Sequence, residues 1–360
     1  MEPTEVKNKA EVDRKCPSCG GVMVFDPKSG GMKCPYCDYE EAIEHDDDFE
    51  AEELDLNSAK DTMVTDWGVK TKVIKCSSCG AETVYDANTI SGECPYCGSK
   101  QVMEAGDVKI MAPGALIPFK VSMEEAKDKF KDWIKGKFFC PSDAKRKAHA
   151  DEMNGIYVPY WTYDADTNSG YTGEYGVDRK VKDKDGNEKT VTDWHQTTGV
   201  IRHFFDDELV PASSKQNTSL LRLIEPFKTK EAVEYKSEYL AGFAAERYTV
   251  ELQDGWKSAQ KSIKEQIEQM AREDIMHRHT DADHTRNVMV NTRFRNVTYK
   301  YIMAPVWISS FSYQNKVYNF MVNAQTGKIS GSTPVSKLKV FLTIVAVIAV
   351  IAILYMLLTK

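Results

Sequence analysis

Eight of the nine cysteines in this 360-residue chain fall into four C-x-x-C pairs, and no other feature restricts its folding as much. Cys16, Cys19, Cys34 and Cys37 have the spacing C-x2-C-x14-C-x2-C, and Cys76, Cys79, Cys94 and Cys97 repeat it 60 residues later. Each pair makes a tight knuckle whose sulfurs converge on one ion about 2.3 Å away, and two knuckles close a tetrahedron around Zn2+. Gly20, Gly80 and Gly98 follow knuckle cysteines, where a residue free to take positive φ turns the backbone beneath the sulfurs. Asp38 stands in that place in the fourth knuckle.

Between the knuckles, "GVMVFD" and "AETVYD" read as short strands, each followed by a turn-rich stretch, "PKSGG" and "ANTISG". A ribbon of about 25 residues buries too little apolar surface to fold alone, so metal supplies the missing free energy. The expectation is two structural zinc ions, one in a ribbon over residues 1–40 and one in a ribbon over 70–105. Four sulfurs leave no open position for water, which makes each site structural rather than catalytic. A redox dithiol is the weaker reading, because no βαβ pattern surrounds either pair.

The same cysteine arithmetic fits metal better than disulfides and leaves Cys140 alone. The opening "MEPTEVKNKAEVDRK" is polar throughout and shows no signal-peptide pattern, so a reducing cytoplasm is expected. The formal net charge is −7, and two four-thiolate zinc sites would carry it to about −11, which disfavours wrapping nucleic acid. Between the ribbons, residues 41–69 read as an acidic linker; from Asp38 to Asp55 there are eleven Asp or Glu and no Lys or Arg. Such density keeps a segment extended and would repel a phosphate backbone, although an acidic docking segment for a basic partner is a second reading. His45 within it reads as a solvated residue.

Val340 to Leu358 is 19 residues without a charge, long enough to cross a hydrocarbon core of about 30 Å and lacking the polar face of a soluble helix. It reads as a transmembrane helix with a tail-anchor character, Tyr355 lying at the far interface. Lys337 and Lys339 precede it and only Lys360 follows, a bias that favours a cytoplasmic N-terminal part.

Residues 110–335 form a body with both helix and strand signals. Ser122 and Glu125 stand in the capping-box relation, followed by Met123, Ala126, Phe130, Trp133 and Ile134 on one helical face. A second amphipathic helix begins near Asp254, with Trp256, Ala259, Ile263, Ile267 and Met270 along one side and charges paired at i, i+4 outside. Strands read in "GIYVPYWTYDAD", in "EKTVTDWHQTTGVIRHFF" after the turn "KDGN", and in "RNVTYKYIMAPVWISSFSY" leading into "VYNFMVNAQTGKISG". Val158-Pro159-Tyr160-Trp161 and Ala304-Pro305-Val306-Trp307 echo each other. Two related halves, each a helix on an antiparallel sheet, are one explanation; ordinary Pro and Trp at strand starts are the other. The fold class expected is α+β: two small zinc ribbons, a mixed body of antiparallel sheet with packed helices, and one C-terminal transmembrane helix.

The blocks "LIPFKVSMEEAKDKFKDWIKGKFFCP", "GIYVPYWTYDAD", "LVPAS", "EYLAGFAAERYTVELQDGW", "TYKYIMAPVWISSFSY" and "FMVNAQTGKISG" resemble, over nearly the whole chain, a bacterial family of C-terminally membrane-anchored proteins with a TFIIB-type zinc ribbon, YdjG-like. The resemblance implies a membrane-associated role beside flotillin-like (SPFH) and phage-shock coat proteins in envelope stress. It transfers no catalytic or partner-binding residue. A helicase label carried by some relatives finds no support here, since the chain has no G-x-x-x-x-G-K-[ST] phosphate cradle.

An enzymatic reading has little to stand on. "HRHTDADH" crowds His277, His279, Asp281, Asp283 and His284, yet it follows a helix where a polar loop is expected anyway. Cys140 reads as a packed thiol, and His195 and His203 as structural residues within strand-like runs. There is no G-x-S-x-G, H-E-x-x-H or G-x-G-x-x-G. The reading that remains is a non-enzymatic membrane adaptor whose two ribbons, on an acidic tether, gain affinity for protein partners by bivalency. Binding of nucleic acid or transcription machinery is the alternative, given Lys70, Lys72, Lys75 and Lys100 around the second ribbon.

Overall fold

The protein is described from a computed structural model that defines residues 15–44, 46, 48–58, 71–76, 82–86, 96, 102–104, 111–148, 153–182, 184, 187–213, 218–314 and 316–358. Near the N-terminus, β1 (Val24–Asp26), β2 (Gly31–Lys33) and β3 (Glu40–Glu41) form a small antiparallel sheet. Then come β4 (Leu54–Asp55), β5 (Thr71–Cys76), β6 (Glu82–Asp86), β7 (Val102–Glu104) and β8 (Ala115–Leu116). Two helices follow, α1 (Met123–Gly136) and α2 (Ser142–Lys147), and then the long hairpin of β9 (Asn154–Lys182) and β10 (Glu188–Pro211). The chain continues through α3 (Thr218–Ile224), β11 (Val233–Glu234), β12 (Ala244–Glu246), α4 (Leu252–Arg278), β13 (His284–Tyr313), β14 (Lys316–Asn323) and β15 (Ile329–Gly331) to α5 (Lys337–Leu358).

The helices start where the residues dictate. The Ser122 hydroxyl accepts from the Glu125 N–H while the Glu125 carboxylate accepts from the Ser122 N–H, so the expected capping box is in place. Ala126, Phe130 and Ile134 are buried along α1, with Met123 and Trp133 packed against the same core. In α4 the buried stripe runs Trp256, Ala259, Ile263, Ile267, Ala271 and Ile275. Glu268 pairs with Arg272 at 2.6 Å, whereas Lys264 lies over the Phe294 ring.

β9, β10 and β13 hold 29, 24 and 30 residues, several times the ordinary strand length of about five or six. Their inner ends form the middle of a 12-stranded sheet that is covered on both faces. Tyr157, Trp161 and Tyr163 face α1, α4 and the N-terminal sheet, while Ile156, Val158 and Tyr160 face α3 and Phe227. Burial on both sides explains why this stretch reads as a continuous apolar run. The outer halves extend beyond the body as a β10–β9–β13 ribbon backed by α4.

The two proline motifs mark a local twofold relation. β9 and β13 run antiparallel with Val158 directly opposite Ala304, the residues that open the two motifs. Around this point the contacts repeat in pairs. The Ala212 N–H donates to the Pro159 carbonyl, and the Ala324 N–H to the Pro305 carbonyl. Thr249 and Val250 N–H groups donate to the Ala212 carbonyl; Lys120 and Val121 N–H groups donate to the Ala324 carbonyl. The Trp161 indole donates to the Val250 carbonyl at 2.9 Å, and the Trp307 indole to the Val121 carbonyl at 2.8 Å. β12 runs parallel to β9 from Ala244 opposite Ile156, just as β8 runs parallel to β13 from Ala115 opposite Ile302. Each half therefore ties down the residue that leads into the helix of the other, and the sequence echo has a structural counterpart in these paired contacts.

The acidic stretch departs from expectation. Its carboxylates are mostly exposed, but Ile43 and Leu56 are buried, Phe49 packs on the apolar face behind the sheet, and β4 pairs with β13. Spaced apolar side chains anchor this segment along the body, so through residue 58 it is a strap rather than a free tether; residues 59–69 lie outside those described.

Candidate metal centre

The first ribbon assembles as its sequence dictates. Two knuckles make the same backbone bonds: Cys16 N–H to the Gly21 carbonyl and Gly20 N–H back to Cys16, then Cys34 N–H to the Tyr39 carbonyl and Asp38 N–H back to Cys34. Gly20 and Asp38 both sit in the left-handed region, at φ 76° and 57°. This is the conformation required to bring a backbone back under paired sulfurs, and at the second knuckle a non-glycine accepts its strain. A Cβ on Gly21 would lie 2.5 Å from the Tyr36 ring, so the two knuckles are in close contact.

The four thiols converge within 4.8 Å of one another, Cys16 and Cys34 buried, Cys19 and Cys37 at the surface. Cys16 Sγ lies 3.5 Å from Cys37 Sγ, and Cys19 Sγ lies 3.4 Å from Cys34 Sγ. A disulfide needs about 2.05 Å, whereas four sulfurs around one zinc at about 2.3 Å stand roughly 3.8 Å apart, so the donor set fits a tetrahedral ion. Burial pushes the Cys34 thiol up, but the Tyr36 and Cys37 N–H groups and the Cys19 thiol bring it down to about 7. At Cys19 the Gly21 N–H lowers the thiol, yet hydrogen bonding with Cys34 and Cys37 outweighs it and pushes it up to about 12. A bound Zn2+ would supply cross-linking of the knuckles and stabilisation of thiolates, with Cys16, Cys19, Cys34 and Cys37 as its ligands.

This centre is bolted to the body. Phe25 is buried, its N–H donates to the Ala241 carbonyl, and its ring meets Tyr239 at 5.3 Å and Phe243 at 6.3 Å. Phe243 stacks on Phe119 at 4.1 Å, and Phe119 meets Trp307 edge-on. An aromatic chain thus joins the knuckles to the twofold centre of the body.

In the second ribbon, Cys76 is buried at the end of β5, and Cys79, Cys94 and Cys97 lie outside the described residues, as do Gly80 and Gly98. What is described of this ribbon joins the main sheet: β6 pairs with β12, placing Thr83 opposite Glu246. Tyr96 donates to the buried Glu246 carboxylate, which also accepts from Ser213 at 2.7 Å. Its counterpart in the first ribbon, Tyr36, is 78% exposed. The duplicated tyrosine is a body contact in one copy and a surface residue in the other.

Elsewhere the candidate residues separate. His279 stacks on Tyr175 at 3.9 Å and contacts Thr197, while His284 pairs with Asp178 at 3.1 Å, so these two engage different partners. His195 lies against Tyr175 and His203 against Phe205. Cys140 is buried, and that burial raises its thiol.

One cluster was not foreseen. Glu53, Asp164 and Asp207 bring carboxylate oxygens within 4.8 Å, a donor set that fits a divalent cation. The Lys300 ammonium already sits among them, paired with Glu53 and 2.6 Å from Asp207. Asp207 has φ 56° on a bulge of β10 that turns it inward, and its N–H donates to Asp164 at 2.8 Å. Burial pushes the Asp164 carboxyl up to about 6. Lys300 offsets part of this negative charge and fastens the acidic strap to the sheet.

Fold and site together define the class: an α+β body of two interlocked halves, bearing a docked four-cysteine knuckle centre and, at Lys337–Leu357, a helix long and apolar enough to span a membrane. The uncharacterized protein YdjG of Bacillus subtilis (strain 168) is 27% identical over 339 residues, covering 91% of this chain and 92% of that protein. No family model matches the chain, and no solved structure matches it.

Proposed function

We propose that this protein is a non-enzymatic, single-pass membrane adaptor whose N-terminal part faces the cytoplasm. α5 anchors it, both cysteine sets hold structural zinc in TFIIB-type ribbons, and the first ribbon presents a recruiting surface to protein partners. The observation that carries the reading is the surface left over once the first ribbon has docked. Val22, Tyr36 and Tyr39 are exposed on the knuckles, with Tyr36 at 78%. Large exposed aromatics rimmed by charge favour protein contact. Two of the ribbon's described lysines pair with carboxylates, Lys33 with Glu40 at 2.9 Å and Lys28 with Glu124 at 3.8 Å, which weakens the case for phosphate binding. Partners of the flotillin-like and phage-shock coat type, acting in envelope stress, belong to this proposal through the family resemblance.

The test is in-cell crosslinking, detergent extraction and mass spectrometry on the intact chain and on Tyr36→Ala. The variant leaves all eight ligands and the Phe25 contact in place. Loss of membrane-associated protein partners with retained membrane fractionation supports recruitment by this surface. An unchanged partner set refutes it, and capture of nucleic acid or polymerase subunits by the intact chain would favour the alternative reading.

A further inference from the structure

Between α1 and α2, the residues Lys137-Phe138-Phe139-Cys140 form a loop that grips the beginning of α5. The Ser336 N–H donates to the Phe139 carbonyl at 2.8 Å. The Lys339 ammonium donates to the Phe138 carbonyl at 3.1 Å and to the Cys140 carbonyl at 2.8 Å, and it approaches the Phe138 ring at 5.9 Å. These contacts place the loop level with the first turn of the apolar helix. Phe341 lies two residues beyond Lys339, about 3 Å further along the axis.

At this level the loop turns its aromatic rings outward. Phe138 is 66% exposed and Phe139 41%, packed against each other edge-on at 5.2 Å, while Cys140 alone is buried. Val335 and Leu338 are exposed beside them at 62% and 67%. Two adjacent exposed phenylalanines are unusual on a water-facing loop, and here they continue the apolar surface of α5. The Lys339 ammonium is held by the two loop carbonyls, and Lys337 two residues before it is exposed. Exposed aromatic rings beside ammonium groups match the chemistry of a bilayer interface with anionic headgroups.

We infer that the Phe138–Phe139 loop is a second membrane contact, inserted at the bilayer interface beside the start of α5; the inference rests on the reading of α5 as a membrane span. A single helix leaves the body free to tilt. A second contact on the same side, tied to α1 and α2, fixes the angle at which the body and its ribbon stand over the lipid surface.

The experiment uses the full chain reconstituted in phosphatidylcholine vesicles containing a minor fraction of phosphatidylglycerol. p-Benzoyl-phenylalanine replaces one residue at a time, Phe138, Phe341 in the apolar helix, or Phe204, exposed on β10 away from α5, and lipid adducts are quantified after irradiation. The inference predicts adducts at 138 and 341, each roughly tenfold above 204. Adducts at 341 but not at 138 overturn the loop contact while leaving the span intact. Absence of adducts at 341 overturns the span and the loop contact together. Protein–protein adducts at 138, or equal lipid labelling at 138 and 204, also overturn it. Phe138 is largely exposed, so its replacement leaves the core unaltered.

Discussion

Gly255 lies in the first turn of α4, where ordinary helix physics and the packing of the two halves make opposite predictions. Replacing a helical glycine with alanine gains about 1 kcal/mol from backbone entropy. A Cβ at Gly255 would lie 2.4 Å from Tyr163 Oη and 2.8 Å from Trp161 Cδ1. Neither neighbour can retreat freely, because Tyr163 donates to the Leu252 carbonyl at 2.6 Å and Trp161 to the Val250 carbonyl at 2.9 Å. Overpacking costs about 1–3 kcal/mol, and a broken hydrogen bond adds about 1 kcal/mol, so the clash outweighs the propensity gain. Gly255→Ala should destabilise by about 1–3 kcal/mol in urea unfolding of the detergent-solubilised chain.

The other half supplies the control. Four residues beyond the N-cap, α1 has Ala126 where α4 has Gly255; two residues beyond the tryptophan, β13 has Ser309 where β9 has Tyr163. The large strand residue goes with glycine and the small one with alanine. Combining Gly255→Ala with Tyr163→Ser should therefore cost less than the two single changes added together, by roughly 1 kcal/mol. Stabilisation by Gly255→Ala alone, or strict additivity of the pair, would refute the interlocking of the halves.

Phe25→Ala should undock the first ribbon at a cost of about 3–5 kcal/mol, seen as faster proteolysis between residues 15 and 44 with zinc content retained. Lys300→Met leaves three carboxylates facing one another and should destabilise by about 3 kcal/mol, partly recovered by millimolar divalent cation, as read by denaturant midpoints with and without the ion. Because burial raises Asp164 in the folded state from 3.8 to about 6, its protonated form favours folding, and stability falls as pH rises through that window. Asp164→Asn should flatten that fall between about pH 4 and 6 while keeping the bond to the Asp207 N–H. Asp38→Gly relieves a left-handed non-glycine and should slow zinc loss to a chelator, because the 3.5 Å contact it gives up with Lys33 is an exposed ion pair that contributes little.

What could be read from the chain was local. The knuckle turns at Gly20 and Asp38, the Ser122 capping box and the apolar stripes of α1 and α4 each depend on residues within one or two turns of each other. The echo of Pro159 and Pro305 was visible, but its meaning lay in the register that sets Val158 opposite Ala304, which no single strand specifies. The strand lengths were hidden on β9 because the inward positions of its outer half include Thr167, Ser169 and Gly173 rather than large apolar residues, whereas outer β13 does alternate, with Val288, Val290 and Phe294 on one face and Arg293 and Arg295 exposed on the other. The carboxylate–lysine cluster was illegible for a different reason: Glu53, Asp164, Asp207 and Lys300 come from four distant segments. The docking of the first ribbon turns on Phe25, a residue indistinguishable in sequence from an ordinary ribbon core residue.

The central claim is that four cysteines of the first ribbon hold one zinc ion as a closed structural centre. X-ray absorption and metal analysis on the full chain, with Cys34→Ser alongside, test it most directly. The account predicts a shell of sulfur alone at about 2.3 Å and the loss of one zinc equivalent per chain in Cys34→Ser. Nitrogen or oxygen in the wild-type shell, or a zinc content unchanged by that substitution, would contradict it.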